Sequence, residues 1–391
     1  MADDRILVLA DDLTGALEVG AKFAGAGVRS MVRTGPRVTT RDLQNATGAF
    51  VVDTETRHAG AAEAARRVYE LADAAHHLGF AYVYKKTDST LRGNIGAELA
   101  ALIDAYAGSS LLYVPAYPQL GRTVRKGSLY VDGVLVAATC FAGDPFNPVK
   151  ESHIPTLLAG QCRVPVRSGP VAYAMDSGPP CIVVCDGDTD GDVEAAAGAF
   201  VVSPIFQLAA GPAGFAAHFA RVVRIPHGPP PSRPRVSNAL VINGSLHPGS
   251  LAQVEQAKQA GFGSIDARLI PDAPWDGGWV VLEPGSEPCN PTLDFSKRLA
   301  RSVCQLLART PIDLLVVFGG DTTYAIVEAI GSPPLDPLGE VMEGIPMSRI
   351  AARKLSTLVG HRDQDLYLVT KAGSFGPPNV LESIRQLLGE R

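Results

Sequence analysis

The fold class is indicated by one stretch, ILVLADDLTGALEVGAKFAGAG at residues 6–27. Its first five residues are a continuous apolar run that predicts a buried strand. A polar turn follows, and the Ala-rich segment from about residue 16 to 25 predicts a helix. Strands written as continuous apolar runs, each followed by a helix, are typical of a parallel sheet covered on both faces. We therefore predict an α/β fold.

The same order recurs along the chain. In the first half, the predicted strands are 6–10, 49–53, 80–85, 111–115 and 181–185, and the predicted helices are about 16–25, 60–78 and 95–106. In the second half, the predicted strands are 239–243, 280–283, 313–318 and 366–370, and the predicted helices are about 250–260, 293–310 and 321–330. The pattern predicts mainly parallel sheets in both halves.

A proline-rich segment separates the halves. Residues 225–235, IPHGPPPSRPR, contain five prolines, which exclude a helix or a central strand and favour extended chain. A length of 391 residues also favours more than one domain. We predict domains at 1–226 and 236–391, joined by a linker at 227–235.

Composition excludes several classes of protein. The formal net charge of −5 argues against an electrostatic nucleic-acid binder, which normally carries a basic excess. No apolar run approaches the roughly 20 residues of a membrane span, and the acidic start MADDRILVLADD fits neither a signal nor a transit peptide. The six cysteines form no CxxC pair, so we expect buried, reduced thiols. These features together predict a cytoplasmic protein.

Two adjacent carboxylates, Asp11 and Asp12, leave the first predicted strand. Ligand sites in open α/β sheets lie at the carboxyl ends of strands. Paired carboxylates there suit a magnesium ion, a ligand cation or a transferred proton. The alternative is that one of them, or Thr14, only caps the following helix. A phosphatase of the Asp-x-Asp type is disfavoured, because position 13 is Leu.

A second polar cluster, KKTDSTLRGN at residues 85–94, follows the third predicted strand. Lys86 and Arg92 suit a carboxylate or a phosphate, since their hydrogen bonds to anions are charge-assisted. Asp88 and Asn94 are candidates to hold sugar hydroxyls. Arg57, after the second strand, is a further candidate anion-binding residue. The alternative is a solvated charged loop.

Three loops rich in small residues follow predicted strands in the second half. They are Asn243-Gly244-Ser245, Gly319-Gly320-Asp321-Thr322-Thr323 and Gly373-Ser374-Phe375-Gly376. Backbone amides at a helix N-terminus are suited to phosphate. No GxxxxGK[ST] loop occurs, so a Walker A site is excluded. Together the loops predict a nucleotide site. The histidines have no HExxH or similar spacing, and we expect neither a zinc site nor a Ser/His/Asp arrangement.

In this order, the clusters resemble the four-carbon acid sugar kinase family. The resemblance rests in the first half on ADDLTGA (10–16), KKTDSTLRGN (85–94), VPAYPQLGRTV (114–124), LYVDGV (129–134) and DPFNPVKESHIPTLL (144–158). In the second half it rests on NGSLHPGS (243–250), GGDTT (319–323), EGIPMSR (343–349) and KAGSFG (371–376). It implies two α/β domains, a Rossmann-like N-terminal domain that holds the sugar acid and a C-terminal domain that holds ATP. The implied activity is ATP-dependent phosphorylation of the terminal 4-hydroxyl of an acid such as D-threonate, D-erythronate or 3-oxo-tetronate.

The resemblance also implies site residues. Those implied for the acid site are Asp11, Asp12, Arg57, Lys86, Asp88 and Ser89, with Arg92 and Asn94 added from the charged cluster. Those implied for ATP are Ser245, Gly319, Gly320, Asp321, Thr322, Gly373 and Ser374. Two loops depart from the family pattern: Asn243-Gly244-Ser245 replaces Ser-Gly-Ser, and KAGSFG replaces Lys-Ser-Gly-Asn-Phe-Gly. Both keep their glycines, so backbone contacts to phosphate are expected to persist.

We expect Arg57 and Lys86 to anchor the acid's carboxylate, and closure about the proline-rich segment to bring the two loop sets together. A carboxylate, Asp12 first, with Asp11 beside it and Asp321 as the second choice, would take the hydroxyl proton or hold Mg²⁺. The sequence does not separate these two roles. The sequence does not determine the oligomeric state, with which a homodimer is compatible; nucleic acid and membrane are not expected as partners. The alternatives are a phosphatase or aldolase of sugar acids, and a sugar-acid-binding protein without catalysis.

Overall fold

A computed structural model gives the fold for residues 3–34, 38–170, 179–270, 275, 277–283, 293–355, 359, 363–373 and 375–389. The chain divides into two compact units, Met1–Pro229 and Pro230–Arg391. Each unit contains its own β-sheet, flanked by helices. Among the described residues, no helix has both the length and the apolar character needed to cross a membrane.

The N-terminal unit is built on an eight-stranded sheet and a small three-stranded sheet. Its strands are β1 Asp3–Ala10, β2 Ser30–Thr34, β3 Gly48–Asp53, β4 Phe80–Lys86, β5 Ser110–Tyr113, β6 Arg122–Arg125, β7 Ser128–Val131, β8 Val134–Leu135, β9 Val166–Gly169, β10 Ile182–Cys185 and β11 Phe206–Gly211. Its helices are α1 Leu13–Gly25, α2 Thr40–Gln44, α3 Ala61–His77, α4 Ile95–Ala105, α5 Ile154–Gln161, α6 Asp190–Val202 and α7 Ala213–Val222.

The large sheet has the order β2-β3-β1-β4-β11-β5-β10-β9, and every pairing in it is parallel. Successive side chains of a strand point to opposite faces. Every residue from Ile6 to Ala10 in β1 is inaccessible to solvent, so both faces of the sheet are covered there. The helices pack in two groups, α1 and α6 against α7, and α3 and α5 against α4. This arrangement places β3, β1 and β4 side by side with their carboxyl ends together.

The small sheet, β6-β7-β8, is antiparallel. It joins the end of β10 through backbone hydrogen bonds between Val124 and Gly187. Asp186 strengthens this junction, because its carboxylate accepts hydrogen bonds from the amides of Lys126 and Gly127 at 3.0 and 2.8 Å.

The C-terminal unit is built on a seven-stranded sheet of order β13-β14-β12-β15-β18-β17-β16. Its elements are β12 Ala239–Asn243, α8 Pro248–Gln259, β13 Gly263–Asp266, β14 Trp279–Glu283, α9 Leu293–Leu307, β15 Leu314–Phe318, α10 Gly320–Ala329, β16 Asp336–Met342, β17 Ile345–Ile350, β18 Leu366–Lys371 and α11 Val380–Leu388. The pairings from β13 to β18 are parallel, whereas β17 and β16 add an antiparallel edge. A hydrophobic core on this sheet contains residues from β12, β14, β15, β16, β17 and β18 and from helices α8 and α11.

The prediction of two α/β units with mainly parallel sheets is confirmed. All nine predicted strands are present, and the structure adds the strands that the patterns did not predict. The expectation of buried thiols holds for Cys181 and Cys185 but is wrong for Cys140, which is exposed; Cys162 and Cys304 are half-buried. Cys289 lies outside the described residues.

Candidate active site

The polar segments of the N-terminal unit meet at one edge of the large sheet. Asp11 and Asp12 follow β1, residues 54–57 follow β3, and residues 87–94 follow β4. Because β3, β1 and β4 are neighbours and parallel, these three segments lie side by side. The sequence prediction that strand ends gather these residues agrees with this geometry.

An arginine–aspartate pair lies at the centre of this edge. Arg57 donates from Nε to Asp11 Oδ2 at 2.8 Å and from Nη2 to Asp11 Oδ1 at 2.9 Å. Its third nitrogen, Nη1, donates to Asp12 Oδ2. Asp11 is only 3% exposed. Burial opposes ionisation of Asp11, but the positive charge of Arg57, with Lys85 and Lys86, outweighs burial and holds the pKa below its ordinary value.

Asp12 also caps the first helix. Its Oδ1 accepts a hydrogen bond from the amide of Gly15 at 2.8 Å, and its backbone is extended, as expected at an N-cap. Its side chain is 26% exposed, whereas that of Asp11 is almost wholly buried. The capping alternative is therefore true of Asp12, and it leaves the carboxylate within reach of a ligand.

Two lysines end β4, and they have different surroundings. Lys85 is fully buried and forms an ion pair with Glu98 at 3.0 Å. Lys86 Nζ lies 3.5 Å from Glu18 Oε2 and donates to the carbonyl of Thr87 at 3.2 Å. A side chain at Gly15 would place its Cβ 3.1 Å from Lys86 Nζ, so glycine leaves room for this ammonium beside Asp12.

Asp88 organises the loop after β4. Its carboxylate accepts hydrogen bonds from Thr90 and from Arg92, whose Nη2 lies 2.8 Å from Asp88 Oδ2. Arg92 Nη1 also donates to Asp144 Oδ2 at 3.2 Å. Burial opposes ionisation of Asp88, but Arg92 and Arg57 outweigh it and hold the pKa of this carboxyl well below its ordinary value. Asp88 and Arg92 thus form one ion-paired unit with the segment around Asp144.

The remaining predicted residues of this cluster are placed as follows. Asn94 donates from Nδ2 to the carbonyls of Thr56 and Ala59, both at 2.9 Å, so its amide nitrogen ties the loops after β3 and β4 together. Ser89 is half-buried in the loop beside Asp88.

Sequence reasoning missed several acidic groups at this edge. Asp53 is fully buried at the end of β3, and its Oδ2 has no hydrogen-bond partner among the described residues. Burial, together with the neighbouring Glu55, raises the pKa of Asp53 well above its ordinary value. Glu18 and Glu98 lie on α1 and α4, where a single acidic residue in a helix carries no functional pattern. Only the fold brings them to the strand ends.

The predicted glycine loops of the C-terminal unit meet at the ends of β12, β15 and β18. The amide of Gly244 donates to the carbonyl of Phe318 at 2.8 Å, and the amide of Gly319 donates to the carbonyl of Lys371 at 3.0 Å. A Cβ at Gly244 would lie 1.8 Å from Thr322 Oγ1, and one at Gly373 would lie 2.6 Å from Ser245 Oγ. The loops therefore approach each other at distances that only glycine permits.

The N-terminus of α10 lies at the same place. Gly319 precedes the helix with a φ of 104°, and no side-chain cap is formed within the described part of the chain. The first amides of an α-helix lack intrahelical acceptors and suit an anion. Thr322 is buried beside Ser296, with 3.2 Å between their hydroxyl oxygens, whereas Gly320 and Asp321 are exposed. Ser374 lies outside the described residues.

The two edges differ in what they can hold. The N-terminal edge offers paired cations and carboxylates, and the C-terminal edge offers backbone amides and hydroxyls. Among the described residues, no group of three or more His, Cys, Asp or Glu side chains is arranged to hold a metal ion. A Mg²⁺ ion that keeps most of its ligands as water and phosphate oxygens needs only one or two carboxylates, and single exposed ones such as Asp321 fit that requirement.

Known proteins resemble this chain along its whole length. Residues 6–219 match the sugar-binding N-terminal domain family, and residues 290–381 match the nucleotide-binding C-terminal domain family. A D-threonate kinase of Bordetella bronchiseptica is 31% identical, over 100% of this chain and 99% of that protein. A D-erythronate kinase of Heliobacterium modesticaldum is 30% identical, over 95% and 94%. A 3-oxo-tetronate kinase of Burkholderia multivorans is 27% identical, over 97% and 96%.

Solved structures share the fold. A Salmonella typhimurium protein described as a putative tRNA synthase superposes with a TM-score of 0.79 at 21% identity, over 98% of this chain and all of that one, and supports the fold alone. A Bordetella bronchiseptica protein, a domain-swapped dimer with bound citrate, is 30% identical with a TM-score of 0.50, over 99% and 98%.

The sugar-binding match alone covers more than half of the chain, and the full-length relatives are kinases of four-carbon acids. The kinase names and the nucleotide-binding match together imply the use of ATP. The chain belongs to the four-carbon acid sugar kinase family.

Proposed function

We propose that this protein is an ATP-dependent kinase that phosphorylates the terminal 4-hydroxyl of a four-carbon sugar acid, such as D-threonate, D-erythronate or 3-oxo-tetronate. The observation that carries the proposal is the full-length similarity to a D-threonate kinase, at 31% identity. The charged edge of the N-terminal unit and the glycine-lined edge of the C-terminal unit supply the two kinds of site that such a reaction needs.

The acid's carboxylate is held at the end of β4. Lys86 is the primary anchor, because its contact with Glu18 is long, at 3.5 Å, and leaves donors of the ammonium for a ligand. Arg57 contributes less directly to binding of the carboxylate than its sequence position suggests. Its Nε, Nη1 and Nη2 already donate to Asp11 and Asp12, so it fixes these carboxylates first and reaches the acid through its remaining N–H groups.

Asp12 accepts the proton of the hydroxyl that is phosphorylated. It is the more exposed carboxylate of the pair, and the Gly15 amide and Arg57 hold both of its oxygens in a fixed orientation. A carboxylate in this position supplies general-base assistance, and the larger part of phosphoryl-transfer catalysis comes from positioning and charge stabilisation. Asp321 is the second choice for the proton or for the metal.

The phosphates of ATP lie against the N-terminus of α10, where Gly320, Asp321 and Thr322 present backbone amides. The amide of Gly319 is already used, because it donates to the carbonyl of Lys371. Ser245 and Gly373 form the opposite wall, since a Cβ at Gly373 would lie 2.6 Å from Ser245 Oγ. Mg²⁺ bound to the phosphates neutralises charge that develops during transfer. Asp321, exposed in the first turn of α10, would hold it from the protein side.

A cytoplasmic location and a homodimer complete the proposal. ATP as the phosphate donor supports the location. The domain-swapped dimer of the similar Bordetella bronchiseptica protein supports the homodimer. Light scattering during size-exclusion chromatography measures the mass and tests the dimer directly.

The deciding experiment is an ADP-release assay with ATP, Mg²⁺ and a panel of four-carbon acids that includes D-threonate, D-erythronate and the 3-oxo forms. We expect one acid to release ADP in proportion to its own consumption. The Lys86→Met variant should raise the KM for that acid and leave the KM for ATP unchanged. Consumption of an acid without ADP would support a phosphatase or aldolase, and binding of an acid without turnover would support a sensor; either result contradicts the proposal.

A further inference from the structure

A buried lysine, Lys371, ends β18. Lys371 is only 1% exposed, and its Nζ donates to the carbonyls of Ala372 and Gly373 at 3.0 and 3.1 Å and to Ser250 Oγ at 3.3 Å. The ammonium also lies over the ring of Phe318, 4.3 Å from its centroid. No carboxylate among the described residues forms an ion pair with it.

This arrangement is unfavourable for a side chain with only a structural purpose. Burying a charge costs free energy unless an opposite charge compensates it. Lys85 in the N-terminal unit, equally buried at the end of β4, has such a partner in Glu98 at 3.0 Å. Among the described residues, Lys371 contacts only dipoles and an aromatic ring, and burial lowers its pKa to about 8. Within the described part of the chain, its positive charge thus has no compensating carboxylate.

The uncompensated charge lies directly behind the glycine loops. The carbonyl of Lys371 accepts the amide hydrogen bond of Gly319, which begins α10. Ser250, which is fully buried, donates to the carbonyl of Gly373 at 2.8 Å while it accepts from Lys371. Both carbonyls after Lys371 are therefore drawn toward the ammonium. These two carbonyl oxygens, which would repel an anion, are thus engaged by the ammonium.

We propose that Lys371 is a positioning residue of the nucleotide site. Its buried positive charge orients the carbonyls of the 371–373 loop and makes the site bind phosphorylated nucleotides in preference to nucleosides. The inference rests on the proposed nucleotide site at α10. It assigns the compensating negative charge to the phosphates of the ligand. An anion that completes such a pair gains Coulomb energy that a neutral nucleoside lacks.

Other titratable groups near this end of the sheet are distinguishable from Lys371. They are His247 in the loop before α8 and Asp321 and Glu328 on α10, all exposed; farther along α8, Glu255 and Lys258 pair with each other, and Lys258 also pairs with Glu283. Burial raises the pKa of the Cys304 thiol on α9, a helix that packs against α10. A change between pH 7.5 and 9.5 is therefore assigned to Lys371 only where the Lys371→Met variant abolishes it.

The test is calorimetric binding of ADP and of adenosine to the full-length protein at several pH values. In the wild type, the ammonium is lost as the pH rises through about 8, so ADP affinity should fall by about sixfold between pH 7.5 and 9.5, out of about tenfold over the whole titration. A tenfold change corresponds to a one-unit rise of the lysine pKa on binding. Adenosine affinity should stay constant. Lys371→Met should bind ADP about tenfold more weakly at pH 7.5 and show no pH dependence, with adenosine affinity unchanged.

Two variants separate charge from loop structure. Ser250→Ala removes the hydroxyl that links Lys371 to Gly373 but keeps the ammonium, so its ADP affinity should still fall with rising pH. Lys258→Met removes an ammonium that Glu255 and Glu283 compensate, and it should match the wild type.

Each contrary outcome overturns the inference. A flat wild-type pH profile does so even if Lys371→Met does not fold, and so does an equal loss of ADP and adenosine affinity in that variant. Unchanged ADP affinity in a folded Lys371→Met refutes this inference alone, because the nucleotide site then still binds. A wild type that binds neither ADP nor ATP refutes the proposed nucleotide site together with it.

Discussion

Arg57 binds Asp11 through two parallel hydrogen bonds, Nε to Oδ2 at 2.8 Å and Nη2 to Oδ1 at 2.9 Å. This bidentate pair joins the loop after β3 to the turn after β1, and a third bond from Nη1 holds Asp12. A Cβ at Gly93 would lie 3.3 Å from Asp11 Oδ2, so the loop after β4 covers the pair closely. Arg57 thus fixes the orientation of the Asp11 and Asp12 carboxylates.

Replacement of Arg57 should therefore reduce both stability and activity. Arg57→Ala leaves Asp11 buried without its counter-ion, and removal of one partner of a buried pair typically costs about 3–5 kcal/mol of unfolding free energy. Urea unfolding measures this loss. Arg66→Ala is the matched control, because Arg66 pairs with Glu63 and Glu70 on the exposed face of α3 and should unfold like the wild type. Equal stabilities of the two variants would contradict the structural part assigned to Arg57.

Asp12→Asn tests the proton acceptor. Asparagine caps helices about as well as aspartate, so α1 should still begin at the same residue and the fold should persist. The kcat should fall by on the order of 10²–10⁴ if this carboxylate takes the proton, with little change in the KM for ATP. Asp321→Asn in parallel examines the second choice. A fully active Asp12→Asn enzyme would remove Asp12 from the mechanism.

Gly244→Ala tests the close approach of the nucleotide loops. The added Cβ would lie 1.8 Å from Thr322 Oγ1, so buried Thr322 must shift, at a cost of about 1–3 kcal/mol of stability. The KM for ATP should rise, because Thr322 belongs to the first turn of α10. Gly198→Ala is the control, since nothing lies within 4 Å of a Cβ there and alanine favours the interior of α6 by about 1 kcal/mol. An unchanged KM for ATP in Gly244→Ala would argue against phosphate binding at α10.

The buried carboxyl of Asp53 predicts a pH dependence of stability. Its pKa is raised in the folded protein, and in the unfolded chain it is about 3.9. As the pH rises above about 4, the unfolded chain releases this proton while the folded protein retains it, so stability contributed by Asp53 falls. Asp53→Asn is neutral in both states, and its stability relative to the wild type should increase from pH 4 toward pH 8.

The control for that experiment has the opposite sign. Hydrogen bonds from Thr39 outweigh burial and lower the pKa of Asp42, so its contribution is present above about pH 4 and lost as the pH falls. Asp42→Asn should therefore lose stability relative to the wild type above pH 4. Differences that stay constant with pH for Asp53→Asn would show that Asp53 ionises alike in both states.

The sequence patterns did not predict several strands, and the reasons can be identified. The strand β11, FQLAAG at residues 206–211, contains a polar residue and small residues that carry little strand preference, yet it lies at the centre of the large sheet between β4 and β5. The edge strand β16 alternates half-buried and buried residues, but two of its buried positions are Pro337 and Gly339, and proline and glycine weaken a strand prediction. In both cases, pairing with neighbouring strands of the sheet decided that the segment forms a strand.

In the candidate site too, sequence position predicted some features and the fold decided others. Sequence position alone placed Asp11, Asp12, Arg57 and Lys86 near strand ends. It did not predict that Arg57 would bind both aspartates, nor that Glu18 would face Lys86, because pairings between residues 46 or 68 positions apart depend on strand order.

By itself, the sequence determined the α/β class and placed the polar clusters and the glycine loops after predicted strands, because apolar periodicity and turn chemistry are local properties. Only the tertiary structure decided which charges pair and which do not. Lys85 forms an ion pair with Glu98, whereas Lys371 pairs with no carboxylate among the described residues, although both lysines lie at the end of a buried strand. The physical reason is that electrostatic energy in a protein interior depends on distance and burial, and neither can be read from the order of residues.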